Sequence, residues 1–113
     1  LSDAKIVSIQ VDDPWRYGCI KSANGKIIDI IEKPSPGQEP SHNVAVGVYK
    51  FDKLIFAAIK QINLSKRNEF ELIDAIKELI KADGTVNEVK YTGYYAHIAD
   101  QKDIADAEKK LKN

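Results

Sequence analysis

The sequence predicts an α/β domain in which helices flank a mixed β-sheet. Its first half has the pattern of strands, and its second half has helical patterns that alternate with strands. Asn24-Gly25 between two β-branched runs indicates a hairpin, and from Asp52 to Ile80 the apolar residues take the spacing of amphipathic helices. With 113 residues the chain has room for one core, so residues 1–113 are predicted to form a single domain.

The strands are predicted from apolar runs that end in turn residues. The first run, KIVSIQV, stops at Asp12, and the hairpin strands RYGCIK and KIIDII should pair antiparallel, with Glu32 at the end of the second. After a loop rich in proline, glycine and serine, NVAVGVYKF should form another strand. Gly47 inside that strand indicates a β-bulge or a close approach of another backbone.

The remaining elements are predicted from helix signals and two further β-rich runs. Asp52 and Asn68 should begin the first two helices, and Asp83-Gly84 should end the second. The runs TVNEVKY and YYAHIA are then expected to be strands, and Asp100 is expected to cap a last helix.

Composition argues against several classes of protein. The 17 basic and 17 acidic residues leave no net charge, so a nucleic-acid or anionic-lipid binder is not expected. No apolar run is long enough to cross a membrane, and the first residues lack the layout of a secretion signal. The single cysteine, Cys19, lies in a strand-like run, so we expect a buried structural thiol and a cytoplasmic protein.

Polar residues at strand ends and helix starts are the candidate ligand contacts. Glu32 and Lys33 lie where a strand ends before Pro34, and a carboxylate can accept hydrogen bonds from sugar hydroxyls while an ammonium suits a phosphate. An exposed acid-base pair at a strand end is also common without any function. Arg67 precedes a predicted helix start, where an anion is favoured, but taken alone such a residue is more often a solvated loop arginine.

Tyr17, Gly18 and His97 are further candidates. Gly18 would let a ligand approach the backbone at the start of the hairpin, although Tyr17 beside it can be explained by packing alone. His97 lies near the end of a predicted strand, where a lone histidine is more often structural than a ligand or a base. The chain contains no P-loop, no G-x-G-x-x-G and no metal-spaced set of cysteine and histidine, so no self-contained enzyme motif is present.

Five segments occur in a characteristic order: VDDPWRYG, NGKIIDIIEKP, VGVYKFD, SKRNEFELIDAI and GYYAHIADQKDIADAEKKL. Together they resemble the second half of the sugar-1-phosphate nucleotidylyltransferases, in the glucose-1-phosphate thymidylyltransferase and uridylyltransferase branch. The pattern of that branch runs D-P-x-x-Y-G-V, E-K-P, G-x-Y-x-F, S-x-R-G-E-x-E-I-T-D and W-x-D-x-G. The resemblance implies the sugar-phosphate-binding half of a Rossmann-like fold, with the nucleotide-binding half absent from these residues.

The resemblance implies roles for the matched residues but assigns no catalytic residue to this chain. In that family a sugar 1-phosphate attacks the α-phosphorus of a nucleoside triphosphate with Mg²⁺ assistance, and pyrophosphate is released. Glu32 would bind sugar hydroxyls, and Lys33 and Arg67 would bind the phosphate. The sugar pocket would also be lined by Tyr17, Gly18, Val46 and Gly47.

Departures from the family pattern affect metal binding and catalysis. His97 stands where the pattern has the aspartate that completes the Mg²⁺ site, and an imidazole is a poor ligand for this cation. We therefore expect a fragment or remnant of a UTP- or dTTP-dependent enzyme that is inactive and binds no Mg²⁺ by itself. The alternative is a non-catalytic binding or assembly module. Without the nucleotide-binding half, the chain would expose a sheet edge and apolar surface, and this exposure would favour self-association.

Overall fold

The computed structural model describes residues 3–66, 68–82 and 84–112, and it confirms the predicted α/β class. In these ranges the chain forms strands β1 (Asp3–Gln10), β2 (Gly18–Ala23), β3 (Lys26–Glu32), β4 (Asn43–Lys50) and β5 (Thr85–Lys90), and helices α1 (Leu54–Ile59), α2 (Leu72–Lys81) and α3 (Gln101–Leu111). A 3₁₀ turn at Pro14–Arg16 leads into β2.

The sheet is mixed, and its strand order closes on itself. The order is β1-β4-β2-β3-β5, and β5 returns to β1 as a parallel neighbour, while the other pairings are antiparallel. The register of β2 with β4 consists of the single pair Cys19 and Val44, and that of β3 with β5 consists of Lys26 and Asn87. The hairpin of β2 and β3 is thus joined to the other strands by two narrow seams.

Local sequence signals produce the turn of the hairpin and a bend in β4. Asn24 and Gly25 have φ values of 53° and 79°, the left-handed backbone that a type I′ hairpin turn requires at both positions, so the predicted hairpin is confirmed. Gly47 has a φ of 84° and lies where the register of β1 with β4 shifts between Ile6 and Ser8. The predicted β-bulge is therefore present in β4.

The core is aliphatic and lies between the sheet and two helices. α2 packs on β3 and β5, and α1 packs on α2. The fully buried isoleucines and valines of this core are Ile6, Ile20, Ile27, Ile30, Ile76, Val44 and Val86. Cys19 is also fully buried, and its thiol donates to the backbone oxygen of Ser41 at 2.9 Å, which confirms the predicted buried thiol.

A carboxylate links three strands of the sheet. The fully buried hydroxyl group of Ser8 donates to Glu88 Oε2 at 2.6 Å, and the hydroxyl of Ser22 donates to Glu88 Oε1 at 2.8 Å. Ser8 belongs to β1, Ser22 to β2 and Glu88 to β5. Glu88 therefore connects the β2–β3 hairpin to β1 and β5.

Replacing Glu88 by alanine should lower the free energy of unfolding by about 1–3 kcal/mol, because the buried Ser8 hydroxyl would lose its acceptor. Urea unfolding followed by circular dichroism measures this loss. Ser22→Ala is the matched control, since Ser22 is exposed and its partner carboxylate can still bind Ser8. Equal losses in the two variants would contradict a special role for the buried hydroxyl group.

The predicted start of the second helix at Asn68 is wrong, because α2 begins at Leu72. Asn68 has a φ of 60°, which a right-handed helix does not allow. Its backbone N–H donates to Ser65 O at 2.9 Å, and Ser65 N donates to Glu69 O at 2.8 Å, so this segment is a loop. The Asn-x-x-Glu spacing that suggested a capping box belongs to that loop. Of the predicted helix end, Asp83 lies outside the described residues, and Gly84 N donates to Leu79 O at 2.8 Å.

The prediction of a strand at YYAHIA is also wrong, because residues 94–99 form no strand. After β5 the chain turns, with Tyr91 N donating to Ser8 O at 2.8 Å and the Tyr91 hydroxyl donating to Tyr94 O at 3.0 Å. The aromatic residues that suggested a sheet face instead line surface clefts. The predicted cap of the last helix is confirmed, since Asp103 N donates to Asp100 Oδ1 at 2.9 Å.

The surface exposes several large apolar side chains. Phe56 and Phe70 are each 67% exposed, Leu111 is 73% exposed, and α3 has no buried residue in its described length. In the part of the chain that the structure describes, the residues of β4 after Val44 pair with β1 and with no other strand. Self-association through such surfaces stays a prediction. Within the described ranges, no helix combines the length and apolarity that a bilayer span requires.

Candidate functional site

A cleft of about 350 Å³ opens where β4 separates from β2. Its walls are the start of β2, the end of β3 and the middle of β4, with one residue from α2 and two from the segment before α3. The lining residues are Arg16, Tyr17, Gly18, Glu32, Lys33, Ala45, Val46, Tyr49, Ile73, Tyr95 and His97. The cleft therefore combines two cations, a carboxylate, an imidazole and three phenols.

Most of the candidate residues from the sequence share this cleft. The predicted residues that line it are Tyr17, Gly18, Glu32, Lys33, Val46 and His97. Gly47 follows Val46 in the bulge but does not itself line the described cleft, and Arg67 lies outside the described residues. Arg16 also lines the cleft, although the sequence assigned a binding role to its neighbour Tyr17 and none to Arg16 itself. Sequence reasoning missed Ile73, which reaches the cleft from a helix that no local pattern places there.

Gly18 makes room for the carboxylate of Glu32. The two residues are opposite each other in the antiparallel register of β2 and β3. A Cβ atom on residue 18 would lie 3.2 Å from Glu32 Oε2 and 2.9 Å from Ile73 Cδ1. Glycine at this position therefore lets the carboxylate, the backbone of β2 and the helix side chain meet at one end of the cleft.

Lys33 has an unusual backbone conformation that orients its side chain. Its φ is 45°, a left-handed value that few residues other than glycine adopt, and the next residue is the buried Pro34. Lys33 N donates to Tyr17 O at 2.8 Å, which extends the ladder between β2 and β3 by one bond. Holding such a backbone costs about 1–3 kcal/mol, and strain of this kind is concentrated at functional sites.

Tyr17 is the centre of a small group of rings and charges. Its ring meets the His97 ring edge-on, with centroids 5.3 Å apart and an interplanar angle of 74°. The guanidinium carbon of Arg16 lies 6.0 Å from the Tyr17 ring centroid, and Arg16 Nη1 donates to Asp13 Oδ2 at 3.1 Å. Tyr17 therefore brings an imidazole and a guanidinium to the same end of the cleft.

Burial and nearby charges favour the neutral, donating form of the Tyr17 and Tyr49 hydroxyl groups. Burial raises the pKa of Tyr17, and the nearby charge of Asp13 raises it further. Burial also raises the pKa of Tyr49, with a second contribution from the charge of Glu32. Hydrogen bonding to Asp13 raises the pKa of Arg16, so this guanidinium stays charged. At neutral pH the cleft thus presents O–H and N–H donors around one carboxylate.

The side chains that line the described cleft do not fit a Mg²⁺ site by themselves. Among the described residues, no three histidine, cysteine, aspartate or glutamate side chains come together as metal ligands. The cleft offers Glu32 as its carboxylate and His97 as an imidazole, whereas Mg²⁺ prefers several oxygen ligands in octahedral geometry.

The mixed sheet places a polar cleft at its strand ends, in the position where α/β sheets commonly bind a small ligand. Residues 2–113 match the family model described as Nucleotidyl transferase, and the chain belongs to this family.

Three individual proteins illustrate the similarity. The chain is 39% identical over 100 residues to the bifunctional protein GlmU of Methanococcus aeolicus, covering 87% of this chain and 23% of that protein. It is 33% identical over 107 residues to the UTP–glucose-1-phosphate uridylyltransferase AglF of Haloferax volcanii, covering 94% of this chain and 43% of that protein. A crystal structure from Bacillus anthracis, assigned as a glucose-1-phosphate thymidylyltransferase and solved with sucrose, superimposes with a TM-score of 0.77 at 28% identity, covering 97% of this chain and 44% of the other.

These matches confirm the resemblance seen in the sequence and the Rossmann-like class of the fold. The chain spans less than half the length of each of the three proteins.

Proposed function

We propose that this chain is the sugar-phosphate-binding part of a nucleotidyltransferase. The complete enzyme would transfer a nucleotidyl group from UTP or dTTP to a sugar 1-phosphate such as glucose 1-phosphate and release pyrophosphate. The observation that supports the proposal is that Tyr17, Gly18, Glu32, Lys33 and Val46 line the same cleft. By itself the chain binds the sugar phosphate and does not catalyse transfer, because no nucleotide-binding motif occurs in its sequence.

The proposed roles follow from the chemistry of each side chain. The Glu32 carboxylate accepts hydrogen bonds from vicinal sugar hydroxyls, next to the backbone that Gly18 leaves open. Lys33 neutralises the phosphate, and Arg67 is proposed as a second phosphate contact. The sugar ring lies against Tyr17 and Val46 in the cleft, and Gly47 shapes this wall through the bulge that follows Val46.

The proposal also covers the metal ion, the cellular location and the partners of the protein. Mg²⁺ acts only in the complete protein, since the donors of the described cleft do not fit it. The protein works in the cytoplasm and uses neither nucleic acid nor membrane as a partner, in keeping with its zero net charge. Exposed apolar side chains such as Phe56 and Phe70 support self-association of the isolated chain.

Glucose 1-phosphate added to the ¹⁵N-labelled chain should shift the amide signals of Gly18 and Lys33 together, and glucose or inorganic phosphate alone should shift them less. Glu32→Gln should weaken binding about 10-fold to 100-fold, because a hydrogen bond to a charged group contributes about 1.5–3 kcal/mol. Glu108→Gln is the matched control, since Glu108 is exposed on α3 away from the cleft. No response to millimolar glucose 1-phosphate would contradict the proposed function.

A second candidate function is a non-catalytic binding or assembly module with the same fold. The observation that favours it is His97, which replaces the carboxylate expected for metal-assisted chemistry. The two candidates differ in the coding sequence upstream of Leu1. A glycine-rich, basic nucleotide-binding segment in the same reading frame would support the enzyme, whereas a start codon immediately before Leu1 would support the module.

A further inference from the structure

Three potential phosphate ligands lie around Tyr17 at one end of the cleft. Arg16 precedes Tyr17 in the chain and lies near its ring, Lys33 is held by the backbone bond to Tyr17 O, and the His97 ring contacts the Tyr17 ring. All of these side chains line the same cleft. Each can donate hydrogen bonds to a phosphate oxygen.

Cations outnumber carboxylates among the described residues that line the cleft. Of the described lining residues, Arg16 and Lys33 are cations and Glu32 is the carboxylate. Asp13 is engaged by the bond to Arg16, and Asp103, whose charge lies near Arg16 and His97, accepts a hydrogen bond from Ala99 N at 2.9 Å. Both aspartates keep their negative charge, but neither lines the described cleft, and each already accepts a hydrogen bond within the protein.

We propose that Arg16 binds the phosphate of the sugar phosphate together with Lys33 and His97, and that this binding needs no divalent cation. The inference rests on the proposed function, because it names how the same cleft holds its ligand. A carboxylate at the position of His97 would repel a phosphate unless a cation lay between them. An imidazole removes that repulsion and can donate to the phosphate directly.

Arg16 is well prepared for this role. Its side chain is 51% exposed, so a ligand in the cleft can reach it. The bond to Asp13 uses Nη1, whereas a guanidinium carries several further N–H donors in a rigid fork that matches phosphate oxygens. The contacts with Asp13 and Tyr17 restrict the side chain before a ligand arrives, which lowers the entropy lost on binding.

Calorimetric titration of the chain with glucose 1-phosphate tests the proposal, once with EDTA and once with millimolar Mg²⁺. The two affinities should agree within about twofold, which corresponds to about 0.4 kcal/mol. Arg16→Gln should weaken binding about 10-fold, and Arg16→Lys should lie between this variant and wild type, because it keeps the charge but not the fork. Lys21→Gln is the control for loss of a surface cation, since Lys21 is exposed on β2 outside the cleft.

Each outcome bears on one of the two claims. Loss of binding in EDTA would overturn the claim that no divalent cation is needed. An Arg16→Gln variant with wild-type affinity would overturn the role of Arg16. The proposed function would stand in both cases. Wild-type chain that binds no glucose 1-phosphate under either condition would overturn the proposed function and this inference with it. Circular dichroism spectra of the variants identify any loss of affinity that comes from unfolding.

Discussion

A Gly18→Val variant is expected to bind glucose 1-phosphate about 10-fold to 100-fold more weakly than the wild-type chain. The first carbon of the new side chain would already lie 3.2 Å from Glu32 Oε2 and 2.9 Å from Ile73 Cδ1. Two further methyl groups must displace the carboxylate from the end of the cleft. Calorimetric titration measures the loss, and Gly18→Ala should show a smaller one.

The control for this variant is Ala23→Val, which adds methyl groups to the same strand at an exposed position outside the cleft. Because Gly18 is buried, overpacking also costs stability, about 1–3 kcal/mol, and urea unfolding separates that cost from the effect on binding. A folded Gly18→Val variant with wild-type affinity would show that Glu32 does not bind the ligand from its present position.

An Ile76→Ala variant is expected to lose about 2–5 kcal/mol of unfolding free energy. Ile76 is fully buried on α2 and belongs to the core that joins this helix to the sheet. Since a domain of this size has about 5–15 kcal/mol of stability in total, the variant should be close to unfolding. Urea or thermal unfolding followed by circular dichroism measures the change.

Ile59→Ala is the matched control, because Ile59 lies on α1 with 42% of its surface exposed. Its truncation should cost clearly less than that of Ile76, about 1 kcal/mol, because 42% of the residue stays in contact with water and less apolar area is buried there. Similar losses in both variants would mean that α2 does not anchor on the sheet as the packing indicates.

The parts of the fold that were predicted correctly depend on neighbouring residues. Asn24-Gly25 specifies its turn through backbone conformation alone, and Gly47 and Asp100 likewise act within a few residues. The closure of the sheet depends on distant partners, such as Cys19 with Val44, which no local pattern encodes. Asn68 was misassigned because a capping signal and a left-handed loop use the same residue types.

The candidate site was predictable to the extent that it lies at strand ends. Glu32 and Lys33 were identified because a strand stops there before a proline, and the register then places Gly18 opposite Glu32. Ile73 and Tyr49 could not be found in this way, because they reach the cleft through packing of α2 and through the bulged strand β4.

Because the two seams are narrow, side chains supply much of the attachment of the β2–β3 hairpin, namely the Ser22 bond to Glu88 and the buried Ile20, Ile27 and Ile30. The register of the hairpin with the remaining strands consists of one residue pair on each side, whereas its two strands pair along their whole length. The hairpin and the residue after it supply Gly18, Glu32 and Lys33 to the cleft, while Val46 and His97 belong to the opposite wall. A ligand that contacts both walls would link the β2–β3 hairpin to β4 and to the segment before α3. We therefore expect the proposed sugar phosphate, once bound, to slow hydrogen exchange of the hairpin amides.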